Sequence, residues 1–411
     1  MTPADEQDDP QRALRAIDGW RGWLLIAVML SGPSLMALTF STIAPVLPMI
    51  SAHFRDQAGS TMLAQWIMTT PAIGLMLGAP IGGWSIDRIG PRAMTIAALA
   101  GFAGGGSAGL WADHPATLLA SRFVMGFSGA YLATAATWLI GARYDEIGRR
   151  RLIAAQDSLA GITAMSAVLL AGIMAQTAGW RAPFMIYLLA VPLLLAAVAS
   201  IPSIYTSRQA TGSTPAELLS HLRPLWPIYL IIVAIAGLMM MPATQVPFLL
   251  QANGIEEPII RSRVIACSAL ASILAAASFP VVRERAGEAG TFRLILAAYL
   301  AGTATLSLAT SAEGAALGCF LMGLGTGLFS PSFASLLIAR TSPALRGRAI
   351  GFMFGAVFLS EFLSPLVILP LRAALGVNGG FGALALLLAL ALFASFVKRP
   401  FATPSIGAAH G

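Results

Sequence analysis

GGWSIDRIGPR, residues 82–92, is a short polar segment between two long apolar runs of the sequence. The run TMLAQWIMTTPAIGLMLGAPI (61–81) precedes it, and AMTIAALAGFAGGGSAGLWA (93–112) follows it. Each run has about the 20 residues that a helix needs to cross the hydrocarbon core of a bilayer. Gly90 and Pro91 both favour a tight turn. The segment therefore predicts a turn that joins two membrane-spanning helices.

The composition of the chain is that of a protein whose exterior faces lipid. Of 411 residues, 57% are hydrophobic and 10% are charged, and the mean hydropathy is +0.78. Typical soluble domains carry about 25% charged residues. The apolar runs are continuous, whereas the strands of a membrane β-barrel would alternate between apolar and polar residues. We predict an all-α integral membrane protein with the lipid bilayer as its surroundings.

Apolar runs of this kind predict twelve membrane-spanning helices. They lie at about 23–47, 61–84, 93–112, 116–141, 153–177, 183–202, 225–250, 263–282, 291–310, 314–338, 349–371 and 379–397. The polar residues 203–224 separate two sets of six. The predicted organisation is a cytoplasmic tail, an N-terminal six-helix bundle, a cytoplasmic linker, a C-terminal six-helix bundle and a second cytoplasmic tail, at 1–22, 23–202, 203–224, 225–398 and 399–411.

The basic residues predict the orientation of these helices. The chain has 25 lysines and arginines against 18 acidic residues, with a net charge of +7. Short loops rich in basic residues stay on the cytoplasmic side of a membrane. Most of the arginines fall in alternate loops, which places both termini in the cytoplasm. We attribute the positive charge to topology rather than to nucleic-acid binding, and we expect a multi-pass protein of a bacterial inner membrane.

The two sets of helices share an internal repeat. Residues 122–154 align without gaps on residues 319–351, at an offset of 197 residues. Phe123, Met125, Gly126, Leu139, Ala142, Arg143, Arg149 and Arg151 recur as Phe320, Met322, Gly323, Leu336, Ala339, Arg340, Arg346 and Arg348. Parallel repeats related by an axis along the membrane normal are typical of transporters with a central site between the halves.

The spacing in the polar segment identifies a family resemblance. Gly83, Asp87, Arg88, Gly90 and Arg92 form a Gly-xxx-Asp-Arg-x-Gly-x-Arg pattern after the second predicted helix. This pattern resembles the signature loop of the major facilitator superfamily, and the helix count, the division into six and six and the repeat agree with it. The resemblance implies a secondary transporter that works as a monomer by alternating access, and not an enzyme.

The resemblance also implies a gate on the cytoplasmic side. In the family, the acid of the signature loop lies against the start of the eleventh helix and pairs with arginines. Here that implies an ion pair between Asp87 and Arg346 or Arg348. The alternative is that Asp87 only caps the turn before the third helix.

Three ionisable residues fall inside predicted helices, where such residues mark functional sites. We expect Glu361 to load and release a proton, although it could instead be a structural carboxyl group bonded to a neighbouring helix. Arg122 matches the arginine that the family places in the fourth helix and uses in proton coupling, with a structural anchor as the alternative. Asp157 is a third proton-coupling candidate, or it pairs with Arg149 or Arg151.

Four further residues are candidates to line a substrate cavity. Gln65 and Trp66 lie in the second predicted helix, and Met241 and Gln245 lie in the seventh. Methionine offers soft, adaptable contacts to a varied apolar substrate. Ordinary helix packing is the alternative for all four.

No metal or cofactor site is predicted. Both cysteines fall inside apolar runs, and the four histidines are scattered in loops and the C-terminal tail. Neither set has the spacing of metal ligands. The partners we expect are a small-molecule substrate and protons.

The favoured function is proton-coupled efflux of small hydrophobic organic compounds. The signature loop, the arginine at 122 and the scarcity of polar groups inside the helices support it. The alternative is a proton symporter or facilitator that imports a metabolite such as an organic acid, with Arg122 as an anion ligand. A membrane sensor or enzyme is disfavoured because neither an output domain nor a catalytic cluster is visible.

Overall fold

Helices make up nearly all of the chain that the structure describes. The computed structural model describes residues 17–55, 60–202, 223–341 and 345–397, and within these ranges it contains no strand. The predicted C-terminal tail at 399–411 lies outside these residues, as do most of the N-terminal tail and nearly all of the linker. We call residues 17–202 the first half and residues 223–397 the second half.

The described part of the first half consists of six α-helices and three short 3₁₀ helices. They are α1 (Gly19–Ser41), a 3₁₀ helix (Ala44–Val46), α2 (Leu47–His53), α3 (Ser60–Ser107), a 3₁₀ helix (Ala108–Leu110), α4 (Pro115–Arg143), α5 (Glu146–Ala178), a 3₁₀ helix (Ala182–Leu189) and α6 (Ala190–Ser200).

The second half follows the same plan. Its elements are a 3₁₀ helix (Arg223–Leu225), α7 (Trp226–Ala236), a 3₁₀ helix (Gly237–Met240), α8 (Met241–Thr244), α9 (Val246–Ala252), α10 (Pro258–Leu308), α11 (Ala312–Ala339) and α12 (Arg346–Val397).

Three of these helices are hairpins of two helices each. α3, α10 and α12 have 48, 51 and 52 residues, whereas about 20 residues already span 30 Å. They contain Gly90, Gly287 and Gly376, with φ of 78°, 67° and 72° and extended ψ, a conformation that is essentially restricted to glycine. The predicted turn at Gly90 is confirmed.

The spans that result agree with an all-α membrane fold. Within the described residues, ten helical segments are long and apolar enough to cross a membrane. Two of them, Pro258–Leu308 and Arg346–Val397, are the hairpins broken at Gly287 and Gly376. Dividing each at its glycine is consistent with the twelve predicted helices.

The turn glycines follow the internal repeat. Gly287 lies 197 residues after Gly90, and Gly376 lies 197 residues after Gly179, which has φ of 80°. The offset is the one that aligns 122–154 with 319–351. The repeat therefore extends to the backbone conformation of the turns.

Close helix contacts obey the same offset. A Cβ atom on Gly126 would clash with the backbone of Pro71, and a Cβ atom on Gly323 would clash with the backbone of Ser268. Both members of the second pair lie 197 residues after those of the first. Glycine lets helix backbones approach closely, which is how helices associate in membranes. Each half is thus built on the same glycine contact.

Two pairs of long helices form the largest contacts between the halves. α5 packs on α10, where Gly172 lies against Ser262 and Gly161 lies against Ile273. α3 packs on α12, and part of that contact is described below.

Most arginines lie at one end of the molecule, which we call the arginine-rich end. α1 begins there at Gly19, and the turns at Gly90 and Gly287 lie there. Its arginines are Arg21, Arg88, Arg92, Arg143, Arg149, Arg151, Arg283, Arg285, Arg293, Arg340, Arg346 and Arg348. The opposite end carries His53 and the turns at Gly179 and Gly376.

Replacing Gly287 by alanine should lower the free energy of unfolding by about 1–3 kcal/mol, because its backbone conformation is strained for any other residue. No atom lies within 4 Å of the added methyl group, so the strain comes from the backbone alone. Thermal unfolding in detergent measures the loss. Gly104→Ala is the matched control, since Gly104 is helical with equally open surroundings. Equal Tm changes in the two variants would contradict the prediction.

Candidate functional site

A hydrogen-bonded pair of buried amides joins the two halves near the opposite end. Gln245 Nε2 donates to Gln65 Oε1 at 2.9 Å, and Gln65 Nε2 donates to the carbonyl of Thr244 at 3.5 Å. Gln65 and Gln245 are 0% and 2% exposed. Two of the predicted cavity residues therefore meet each other across the interface between the halves.

A break in the seventh span positions Gln245. α8 ends at Thr244 and α9 begins at Val246, so Gln245 lies between them. Pro242 and Pro247 are the second residues of these helices and have no backbone N–H to donate. The chain therefore forms short helical pieces here instead of one continuous helix, and the Gln245 side chain reaches the first half.

The other two predicted cavity residues also lie at or beside this interface. The Trp66 ring packs on the Phe362 ring of α12, with centroids 4.8 Å apart. Met241 is 3% exposed and lines a small cavity together with Gln245. Phe362 was not among the predicted residues, and its position next to Glu361 in the sequence was the available signal.

Glu361 is buried on α12 between two contact faces. It is 3% exposed, and its Oε2 has no hydrogen-bond partner among the described residues. On one side, Ser360 Oγ donates to the carbonyl of Val233 in α7. On the other side, Phe358 and Phe362 pack on the first half. A helix turns about 100° per residue, so Glu361 lies between these faces, towards the centre of the molecule.

Arg122 lies in an aromatic enclosure inside the first half. Its side chain is 0% exposed, with Phe184 and Tyr187 rings at 4.6 and 4.9 Å from the guanidinium carbon. Nη2 donates to the carbonyl of Gly106 at 3.3 Å, and Nη1 donates to Met125 Sδ at 3.4 Å. These contacts tie α4 to α3 and to the 3₁₀ helix Ala182–Leu189. All of them lie within the first half, whereas Glu361 lies on α12 of the second half.

The repeat shows that the fold does not require an arginine at this position. The residue 197 positions after Arg122 is Cys319, which is also 0% exposed. A small thiol thus fills the equivalent position in the second half. In the first half, stacking on the rings of Phe184 and Tyr187 lowers the cost of burying the Arg122 guanidinium.

Asp157 faces the space between the halves near the arginine-rich end. Its neighbour Gln156 donates to the carbonyl of Met29 in α1, and Gly161, one turn further on, packs on Ile273 of α10. Helical periodicity places Asp157 between these two directions. The structure shows its side chain exposed, with no ion pair to the described Arg149 or Arg151.

The signature residues cap a helix end in the first half. Gly90 forms the turn, and Arg92 Nη2 donates to the carbonyl of Val198 at 3.0 Å, one of the last carbonyls of α6. The second half repeats this contact: Arg293 Nη2 donates to the carbonyl of Ser395 at 2.9 Å, and Ser395 lies 197 residues after Val198.

The structure describes only some of the residues of the expected cytoplasmic gate. The Asp87 side chain and the surroundings of Gly83 lie outside the described part of the structure. Arg88 and Arg346 are exposed, and Arg348 is half-buried near the start of α12. The pairing of Asp87 with Arg346 or Arg348 stays a prediction.

On the face of α12 that packs on α3, side-chain burial falls towards the arginine-rich end. Phe358 is 9% exposed and packs against Ala72 and Leu75 of α3. Phe354 is one turn nearer the arginine-rich end on the same face of α12, and it is 44% exposed. Asp157 is also exposed near this end, whereas the amide pair near the other end is buried.

Known proteins share this architecture. The structure of the nucleoside transporter NupG superposes with a TM-score of 0.73 at 13% sequence identity, covering 92% of this chain and 100% of that chain. This similarity shows the fold.

Curated relatives match part of the chain. The multidrug efflux pump LfrA of Mycolicibacterium smegmatis is 29% identical over 177 residues, which are 43% of this chain and 34% of LfrA. The arabinose-proton symporter of Escherichia coli (strain K12) is 24% identical over 192 residues, which are 47% of this chain and 40% of that protein. The matches thus span less than half the length of either relative.

A family model settles the classification. The Major Facilitator Superfamily model matches residues 29–365, which include the signature loop, the amide pair, Arg122 and Glu361. The chain is a multi-pass membrane transporter of the Major Facilitator Superfamily.

Proposed function

We propose that this transporter couples proton entry to the export of small hydrophobic organic compounds. The observation that carries the proposal is the buried Glu361 carboxyl group, whose Oε2 has no partner among the described residues. Ionisable groups inside a membrane are costly, and those that persist commonly serve as proton relays. Its place between the halves suits a group that faces each side in turn.

Alternating access then uses the two ends in sequence. With the opposite end open, Glu361 binds a proton from outside and the substrate leaves. The amide pair of Gln65 and Gln245 then closes that end, and the halves part at the arginine-rich end. Glu361 releases its proton there, past the exposed Asp157, and a new substrate enters.

The surroundings of Glu361 favour an apolar substrate. Trp66, Phe358 and Phe362 offer ring faces there. The similarity to a multidrug efflux pump supports the same substrate class.

A proton symporter or facilitator importing a metabolite such as an organic acid is the second candidate. The similarity to the arabinose-proton symporter favours it. Its expected anion ligand was Arg122, whose guanidinium is enclosed by Phe184 and Tyr187 within the first half. Export is the better supported direction for this reason. A role for Arg122 in proton coupling remains part of the proposal through the family resemblance alone.

The proposal places the arginine-rich end in the cytoplasm. Arginine-rich loops stay on that side of a bacterial inner membrane, so both termini would be cytoplasmic. Asp87 would pair with Arg346 or Arg348 to close this end while the opposite end is open. The transporter would act as a monomer with the two bundles joined by the linker at 203–224.

Glu361→Gln should abolish proton movement coupled to substrate, because the amide cannot bind and release a proton in the relevant pH range. The measurement uses purified protein in liposomes that contain a pH-reporting dye, with candidate drugs, sugars and organic acids added in turn. Wild-type protein should move protons against the direction of an apolar substrate.

Glu313→Gln is the matched control, since it makes the same change at an exposed residue at the start of α11. We expect wild-type coupling from it. Protons that move with the substrate would favour the symporter, and transport without proton movement in wild type would overturn the proposed coupling.

Asp87→Asn should shift the protein towards opening at the arginine-rich end. Loss of a charge-assisted hydrogen bond changes the ratio of two states by about tenfold or more. Distances between spin labels across that end measure the ratio, and transport assays measure turnover. Glu284→Gln, at an exposed position in the matching loop of the second half, is the control. Unchanged distances and turnover in Asp87→Asn would exclude the latch.

A further inference from the structure

A small, partly open cavity lies behind the amide pair, between α8 and the two arms of the α12 hairpin. Its walls include Met241, Gln245, Ile368, Arg372 and Phe381. The volume that the centre of a water molecule could occupy in this cavity is about 10 Å³. That is close to the smallest volume, about 10–15 Å³, that holds one water molecule.

Two residues of the cavity wall each have a buried polar atom without a protein partner among the described residues. Gln245 Oε1 and Arg372 Nη1 are both buried and have no hydrogen-bond partner among the described residues. Leaving such an atom unpaired is costly, and buried polar atoms in native proteins nearly always bond to protein or to ordered water. An acceptor on Gln245 and a donor on Arg372, two residues that line the same cavity, therefore each need a partner.

The orientation of the Gln245 amide follows from the chain of hydrogen bonds. The Thr244 carbonyl can only accept, so Gln65 turns its Nε2 towards it. Gln65 then presents Oε1 to Gln245, which must offer its own Nε2. Only Oε1 of Gln245 is left for the cavity. Arginine carries only donors, so its Nη1 is complementary to that oxygen.

We propose that the cavity is a binding site for one water molecule, which accepts from Arg372 Nη1 and donates to Gln245 Oε1, and that Arg372 thereby positions Gln245 for its bond to Gln65. A chain of hydrogen bonds then runs from Arg372 in α12 through the water and Gln245 to Gln65 in α3. Arg372 becomes part of the closure at the opposite end.

The repeat supports a specific role for Arg372. The residue 197 positions earlier is Ala175, which is 2% exposed, so the fold does not need a charge at this position. Arg372 also stacks on the Phe248 ring, with 4.4 Å from its guanidinium carbon to the ring centroid. A test must therefore separate the hydrogen-bond chain from this stacking contact.

The inference rests on alternating opening of the two ends, but on neither the proton nor the direction of transport. Spin labels at Ala52→Cys and Gln251→Cys, in a Cys267→Ala/Cys319→Ala background, report the separation of the halves at the opposite end. Ala52 and Gln251 are exposed residues of the first and second half. The variants are Arg372→Met, Arg372→Lys, Gln65→Leu and the Arg372→Met/Gln65→Leu double variant.

Arg372→Met should raise the open fraction at this end about tenfold, while Arg372→Lys, which keeps a donor and the cation, should stay near wild type. In the Gln65→Leu background, Arg372→Met should have little further effect, because the chain is already cut. The same increase in both backgrounds would show that Arg372 acts through Phe248 and would overturn the proposal, as would wild-type distances in Arg372→Met.

A wild-type structure at a resolution that shows ordered water tests the site without any variant. Density between Gln245 Oε1 and Arg372 Nη1 is expected in the state with this end closed. A direct hydrogen bond between these atoms would overturn the water site. The Glu361→Gln experiment tests the proposed proton coupling and does not depend on the water site. A failure of the proposed function can therefore be distinguished from a failure of the proposed role of Arg372.

Discussion

A hydrogen-bonded pair of buried amides joins the halves of this transporter near one end. Gln65 and Gln245 cannot be solvated while they face each other, so the bond is worth most when that end is closed. When the halves part there, water can replace it at little cost. Such a hydrogen bond suits a transporter whose halves must close firmly at this end and also part there. The bond is strong while water is excluded and weak once water can reach the two amides.

The functional candidates are positions at which the two repeats carry different residue types. The turn glycines and the glycine contacts of α4 and α11 obey the 197-residue offset, since both halves need the same close packing. Glu361 has Ala164 as its counterpart, and Gln65 has Ser262. Arg122 and Arg372 likewise correspond to a cysteine and an alanine. Polar groups that the common fold does not require are those expected to serve coupling, closure or substrate contact.

The sequence was sufficient for the fold because apolar length, turn glycines and the repeat are local signals. The turn at Gly90 could be predicted from its own neighbours, and so could the place of Glu361 inside a long apolar run. The direction in which a side chain points from its helix could not be predicted. The position of a residue along a helix follows from counting residues, whereas the direction of its side chain depends on partners that are far away in the sequence. Arg122 was a proton-coupling candidate, and only the structure shows that its ring contacts are with Phe184 and Tyr187 of the first half.

Arg372 was missed for a related reason. Arg372 follows the end of a predicted helix, so the sequence did not distinguish it from the other arginines in loops. Only the folded chain brings it to the wall of the cavity beside Gln245. Gln65, Gln245 and Trp66 were predicted as cavity residues, and the structure places them in contacts between the halves, where a substrate would have to displace or join them.

The central claim is that the two ends open in turn about a buried carboxyl group. Spin-label distances at both ends of the same protein test it, with one pair at Ala52 and Gln251 and another at Ile147 and Gly347, all exposed positions. As substrate or pH shifts the populations, one distance should lengthen while the other shortens. Distances that change together, or that do not respond at all, would contradict alternating access in this protein.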